Sequence, residues 1–372
     1  MSQSKSSVRR IAVLTGGGDA PGLNAVLFGL VTRAEALGIE CLASEDGYEG
    51  LIKGCLVPLD GAKVRGIASQ GGSVIGCSNR ANPYAYPRRG PDGKIVTEDV
   101  SLRVAETVKR ENIDVVVALG GDGTMAMTSR LAPLGVRSVG VPKTIDNDLA
   151  ATDVTFGFQS AVDFATMAVD RIHTTASAHD RVMIIEVMGR YAGWIALEAG
   201  LAGGAHVIVL PEFEYDVQRI ADAIHRRASQ GLNYSIIVIS EGAKPIGGTH
   251  AITKDMPAGH LPKLGGAGDR LSKSLEPLVP EHEIRVTVLG HVQRGGSPVP
   301  FDRVLGVRMG VAAAEAVAAG LEGVMVSLRA GRIVTVPMSD AVGKTRNVTV
   351  DDERLLAARA VGVEFGVDFD RG

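Results

Sequence analysis

Asp146 and Asp148 flank Asn147 in the run Val141-Pro142-Lys143-Thr144-Ile145-Asp146-Asn147-Asp148. If this stretch is extended, its side chains alternate, and the two carboxylates point the same way with Asn147 opposite. Such a pair can divide the labour of a phosphoryl transfer. One carboxylate accepts a proton from an attacking hydroxyl, and the other helps to hold a metal. Asp-Asn-Asp is also ordinary turn chemistry, so the pair gains meaning only from the residues around it.

Two glycine turns stand nearest in kind. Gly16-Gly17-Gly18-Asp19-Ala20-Pro21-Gly22 follows an apolar run and opens a helical stretch. Glycines there let backbone N–H groups approach phosphate oxygens, and a helix N-terminus favours negative charge. Gly120-Gly121-Asp122-Gly123-Thr124 repeats the device with a carboxylate. A carboxylate beside a phosphate-binding turn suits Mg²⁺, which takes one or two carboxylates plus phosphate oxygens and water. Neither turn is the GxxxxGK[ST] loop. The competing readings are a tight strand–helix turn and an Asp that caps the next helix.

The later signals are basic. Met188-Gly189-Arg190 ends one strand-like run, and His291-Val292-Gln293-Arg294-Gly295-Gly296-Ser297-Pro298 ends another, with Arg285 at its start. Arginine binds phosphate through a planar fork, so Arg190, Arg285 and Arg294 are candidate anchors for a phosphorylated substrate, against the ordinary alternative of surface ion pairs. Trp194, Met167 and Met183 read as core, His173 and His179 as solvated helix-end residues, and the cysteines as structural.

These groups need a frame. Ile11–Leu14, Asp114–Leu119, Val136–Val141, Val182–Val187, His206–Leu210, Ser235–Ile239 and Arg285–Leu289 read as strands. Gly22–Leu37, the stretch from Thr124, Gln159–Thr174, Val217–Ser229, Asp269–Leu275 and Asp302–Ala319 read as helices. Near-continuous apolar strands alternating with helices imply parallel sheets covered on both faces, an α/β fold. Ligands of such sheets bind beyond the carboxyl ends of the strands, where every motif above falls. The chain has 372 residues, enough for about two domains, and length alone suggests a change near residue 155. Gly242–Gly268 reads as a surface excursion.

Composition excludes several classes. Hydrophobic residues make up 45% and charged residues 22%, the balance of a globular protein. A net charge of -3 argues against a nucleic-acid binder. Cys41, Cys55 and Cys77 form no CxxC pair, which points to reduced thiols in a cytoplasmic protein and not to zinc. Met1–Arg10 lack a signal-peptide core, and no apolar run is long enough to span a membrane.

With these turns in this order, the chain resembles the phosphofructokinase family. The resemblance is carried by Gly17–Ala25, Gly120–Thr124, Pro142–Asp148, Gly157-Phe158, Met188–Gly193 and Leu289–Pro298, which run from residue 11 to about 310, most of the chain. It implies two Rossmann-like domains with the active site in the cleft between them. Residues 1–155 plus about 291–342 would bind the donor, and about 156–290 plus 343–372 the sugar phosphate. It further implies transfer of the γ-phosphoryl group of ATP to the 1-hydroxyl of fructose 6-phosphate. Asp146 would be the base, Thr144 would stabilise the transferring group, and Arg190 would neutralise transition-state charge. Asp122 and Asp148 would hold Mg²⁺. Gly17, Gly18, Arg80, Gly121, Gly123, Thr124 and Lys143 would meet the donor, and Met188, Gly189, Glu241, His291 and Arg294 the sugar phosphate. Arg181 and Arg285 would reach the 6-phosphate of a neighbouring subunit, which implies a homo-oligomer, a tetramer or a dimer.

The donor is read from two positions. Pyrophosphate users of the family usually carry Asp at position 123 and Lys at 143, and common bacterial ATP users carry Gly at both. Gly123 leaves open the space an Asp would fill against the α-phosphate of ATP, so ATP is favoured over pyrophosphate despite Lys143. Glu45, where an aromatic often packs on adenine, and Arg80, about one place late, depart from the ATP-type pattern. Phe28, Thr32 and His173 stand where common bacterial members carry effector-site arginines, so ADP activation and phosphoenolpyruvate inhibition of that kind are expected to be absent or weak. A non-catalytic sugar-phosphate or nucleotide sensor would have no chemical need for Asp122, Asp146 and Asp148 together. An NAD kinase accounts for Gly120–Thr124 alone.

Overall fold

The computed structural model describes residues 8–90, 93–254 and 263–369. Two sheets form the frame. The larger has seven strands in the order Arg332–Pro337, Val324–Arg329, Ser138–Pro142, Val115–Gly120, Arg10–Thr15, Glu40–Ser44, Leu56–Pro58. Its five inner strands run parallel, while both edge strands are antiparallel to their neighbours. The smaller sheet, Ile284–Val288, Val182–Val187, Ser235–Ser240, Val207–Val209, is parallel throughout.

Alternation of side chains decides what each face meets. Ile11, Val13, Val115 and Val117 turn to one face and pack on the helices Leu23–Ala36 and Pro300–Ala318. Ala12, Leu14, Val116 and Ala118 turn to the other, against Tyr48, Leu51 and Val104. In the smaller sheet Met183, Ile185, Ile236 and Val238 meet the helices Phe158–His179 and Trp194–Ala202. Val182, Ile184, Ile237 and Ile239 meet Val217–Ser229 and Ala267–Leu275. Both sheets are therefore covered on both sides, as their unbroken apolar runs require.

The seven strands read from the sequence are present within about two residues, as expected of boundaries. In the larger sheet Glu40–Ser44, Leu56–Pro58, Val324–Arg329 and the edge strand Arg332–Pro337 were not foreseen, the last being mostly solvent-facing. The helices Tyr48–Lys53, Ser101–Arg110, Trp194–Ala202 and Glu353–Ala360 were also missed. Met167, expected in the core, is exposed. His173 is not solvated either: it bonds the Gly203 carbonyl at 2.7 Å and packs edge-on against His206 and Tyr234. No helix among the described residues is long and apolar enough to cross a membrane.

Candidate active site

Every motif sits where a parallel strand gives out. Arg10–Thr15 runs into Gly16–Gly18, Val115–Gly120 into Gly121–Thr124, and Ser138–Pro142 into Lys143–Asp148. From the smaller sheet, Val182–Val187 delivers Met188–Arg190, Ser235–Ser240 delivers Glu241, and Ile284–Val288 delivers His291. The carboxyl ends of both sheets thus supply one cleft of about 530 Å³, which Gly17, Gly18, Gly121, Gly123, Thr124, Lys143, Thr144, Asp146, Arg190 and Arg294 all line.

The first glycine turn is shaped around two cations. Gly17 has φ +77°, and a Cβ on it would lie 3.2 Å from Lys143 Nζ. On Gly18 a Cβ would lie 3.4 Å from Arg294 Nη1. Lys143 donates to the Gly18 carbonyl, and Arg294 donates to the Asp19 carbonyl at 3.0 Å. Backbone and two positive charges therefore converge, which is what a polyphosphate needs. Burial pushes the Lys143 ammonium down to about 8, against the pull of Cys77, Asp19 and Asp146.

At the second turn the helix Asp122–Ser129 starts two residues earlier than the reading from Thr124. Asp122 does not cap it: the N-cap Gly121 has no side-chain cap, and Asp122 Oδ1 accepts the Gly343 N–H at 2.7 Å. Next to it, a Cβ on Gly123 would meet nothing within 4 Å. Ala81, Ala85 and Met127 give the same cleft an apolar stretch of wall.

The carboxylate pair is brought together differently from the extended reading. The strand ends at Pro142, and Asn147 adopts φ 52°, so residues 144–148 form a turn. Thr144 organises it: Oγ1 donates to Asp148 Oδ1 at 3.1 Å and accepts the Asp146 N–H at 3.1 Å. Thr155 closes the turn from behind, its N–H donating to Asn147 Oδ1 at 3.1 Å and its hydroxyl to the Thr144 carbonyl at 2.7 Å. Burial raises the Asp146 carboxyl above its ordinary range, and Glu241 adds to this, while Arg294 and Lys143 oppose it. Asp146 Oδ1 is buried with no hydrogen-bond partner. Burial and the charge of Asp146 raise Asp148 to about 6.

Asp122 is close enough to raise Asp148 electrostatically. Among the described residues no three His, Cys, Asp or Glu form a metal-holding group, so a divalent cation here would need oxygens from a ligand, the habit of Mg²⁺.

A second recess of about 350 Å³ adjoins on the smaller-sheet side, lined by Met188, Glu241, His291, Leu264, Gly266 and Asp269 among others. Part of the stretch described as a surface excursion is thus a wall of this recess; residues 255–262 of it lie outside the described residues. The glycine pair at 265–266 was the available signal. Glu186, also missed, anchors that wall: its carboxylate accepts the N–H groups of Gly266 at 3.1 Å and Gly268 at 2.8 Å. Burial and Glu186 raise the Glu241 carboxyl, against Arg190 and Arg294.

Several expected residues lie elsewhere: Asp122, Asp148 and Gly189 line neither recess. Ser78 and Asn79 line the main cleft, whereas Arg80 is exposed in a neighbouring recess with Tyr86. Arg181 and Arg285 line neither recess and both pair with Glu283.

A family model described as phosphofructokinase matches residues 10–317. ATP-dependent 6-phosphofructokinase 2 of Clostridium perfringens is 45% identical over 96% of this chain and 98% of its own. Pyrophosphate–fructose 6-phosphate 1-phosphotransferase of Streptomyces coelicolor is 43% identical, covering 96% of this chain and 100% of its own. The solved phosphofructokinase of Saccharomyces cerevisiae superposes with a TM-score of 0.75 at 29% identity over 90% of this chain, which spans 45% of that one. Strand-end turns in the family's order, a family match through both sheets and near-complete overlap with such relatives agree: this chain belongs to the phosphofructokinase family.

Proposed function

We propose that this protein is an ATP-dependent 6-phosphofructokinase, a glycolytic kinase that phosphorylates the 1-hydroxyl of fructose 6-phosphate. The observation that carries the reaction is Asp146. It is a buried carboxylate with one unpartnered oxygen, in the cleft that also holds the glycine turns and Arg190 and Arg294. A carboxylate of raised pKa is a better proton acceptor, so Asp146 takes the proton as the sugar hydroxyl attacks. Thr144 faces the same space and steadies the transferring group. Arg190 and Lys143 offset the charge that spreads over the phosphoryl oxygens. Asp122 and Asp148 would hold Mg²⁺, which supplies neutralisation of the donor oxygens. Met188, Glu241 and His291 line the recess suited to the sugar, with Arg294 beside the phosphate side.

Relatives named for ATP and for pyrophosphate have nearly equal identity, and the space in the cleft favours ATP. The opening at Gly123 and the apolar wall of Ala81, Ala85 and Met127 suit a nucleoside, and pyrophosphate would leave both empty. Side-by-side assays with ATP and with pyrophosphate test this. Turnover confined to pyrophosphate would overturn it.

The division into a donor domain, 1–155 plus 291–342, and a sugar-phosphate domain, 156–290 plus 343–372, is supported by which strands each sheet recruits. The protein works in the cytoplasm as a homo-oligomer. Arg181 and Arg285 are half-exposed or exposed side chains that exchange Glu283 for the 6-phosphate in a neighbouring site.

A further inference from the structure

The Asp146–Asp148 turn depends on a residue that none of the motifs contains. Asn147 stands at φ 52°, a conformation uncommon outside glycine though tolerated by Asn. Its side-chain oxygen is taken by Thr155. Its carbonyl accepts Arg346 Nη1 at 3.3 Å, and the next carbonyl, that of Asp148, accepts the Arg346 backbone N–H at 2.8 Å. Leu149 and Thr345 form an antiparallel bridge beside these bonds.

The guanidinium is itself held. It lies 4.5 Å from the centre of the Trp194 ring, and the indole N–H donates to the Arg346 carbonyl at 2.7 Å. Arg354 stacks on the same ring at 4.2 Å and is tied to Glu198 at 2.8 Å. Trp194 opens the helix that follows Met188–Gly193, so the stack links the carboxylate turn to the segment bearing Arg190. Glu212 strengthens this link by accepting N–H groups from Gly193 at 2.9 Å and Val348 at 2.8 Å.

We infer that Arg346 is a positioning residue for phosphoryl transfer: its guanidinium, stacked on Trp194, pins the Asn147 carbonyl and so fixes the turn that spaces Asp146 from Asp148. The inference rests on the proposed roles of those two carboxylates. The backbone N–H survives replacement by alanine or lysine, so those variants disturb the side-chain contact to Asn147 and the stack on Trp194 and keep the bond to the Asp148 carbonyl.

The test compares Arg346→Ala, Arg346→Lys and Asp146→Asn, each with MgATP and fructose 6-phosphate. Misplacement by about 1 Å costs on the order of a hundredfold in rate, so Arg346→Ala should lose about ten- to hundredfold in kcat. Both KM values should stay within about threefold, because Arg346 lines neither the cleft nor the adjoining recess. Guanidinium added at millimolar concentration should restore part of the kcat of Arg346→Ala and leave the unsubstituted enzyme unaffected. A folded Arg346→Ala with normal kcat overturns the inference, as does a loss of rate that guanidinium leaves untouched while KM rises instead. If Arg346→Ala does not fold, Arg346→Lys decides, since lysine keeps the charge without the planar fork. Lowered kcat at an unchanged melting temperature supports the inference, and normal kcat refutes it. Activity retained in Asp146→Asn would instead refute the proposed base.

Discussion

Asp146 is the proposed base, and its burial makes a sharp expectation. Asparagine keeps its shape but takes up no proton. Asp146→Asn should lower kcat by about 10²–10⁴-fold, while calorimetry shows fructose 6-phosphate still binding. At Gly123 the expectation concerns choice of donor. The space there is open, so Gly123→Asp should fold normally, place a negative charge against the nucleotide and cut kcat/KM for ATP far more than for pyrophosphate. The ratio of the two specificity constants measures it. The types and order of these residues were legible in the sequence, because phosphate chemistry needs glycine, carboxylate and arginine at strand ends. The geometry of the pair was not. A pleated strand and a left-handed turn at Asn147 both bring two aspartates together, and only the Thr144 and Thr155 bonds distinguish them.

The elements that carry these turns are packed with little room. The helices Leu23–Ala36 and Pro300–Ala318 touch backbone to backbone: a Cβ on Gly310 would lie 2.2 Å from the Val26 carbonyl oxygen, and one on Gly29 2.5 Å from that of Val307. Gly310→Ala should therefore destabilise the fold by about 1–3 kcal/mol, read as a lower denaturant midpoint, although alanine is the better helix former. Arg10–Thr15, Val115–Gly120 and Ser138–Pro142 were legible because burial on both faces makes them nearly continuous apolar runs, whereas the inner strands Glu40–Ser44 and Val324–Arg329, which carry Glu, Ser or Arg, were missed. The edge strand Arg332–Pro337 carries no such mark, and the helix Trp194–Ala202 is so buried that its apolar residues show no helical face. Gly265 and Gly266 were visible as a pair, yet their place in a recess wall depends on Glu186, distant in sequence.

At the scale of the whole molecule, stability should fall in mild acid. His206 Nδ1 accepts the Ile236 N–H at 2.9 Å, and burial, with Arg227 and His173 nearby, pushes its pKa from 6.5 down to about 3. The unfolded imidazole binds a proton near 6.5 and the folded one does not. This contribution is complete above pH 6.5 and is lost as pH falls towards 3. Urea midpoints should show the loss, and His206→Asn, which retains an acceptor, should flatten it. Assembly has its own test. If Arg285 serves a neighbouring subunit, Arg285→Ala and Asp146→Asn chains refolded together should exceed the summed activity of the two alone. Additive activity would place Arg285 outside the site. Partner contacts of this kind leave no periodicity, so only resemblance suggested them. The pairing of Val324–Arg329 beside Ser138–Pro142 also bears on biosynthesis. Asp122 rests on Gly343 and the aspartate turn on Arg346, so the catalytic groups lack their final supports until the ribosome has released those late residues. The smaller sheet, continuous within residues 182–288, can form while the larger waits for its last two strands. The two carboxylate turns are therefore among the last parts of the chain to gain their hydrogen-bond supports.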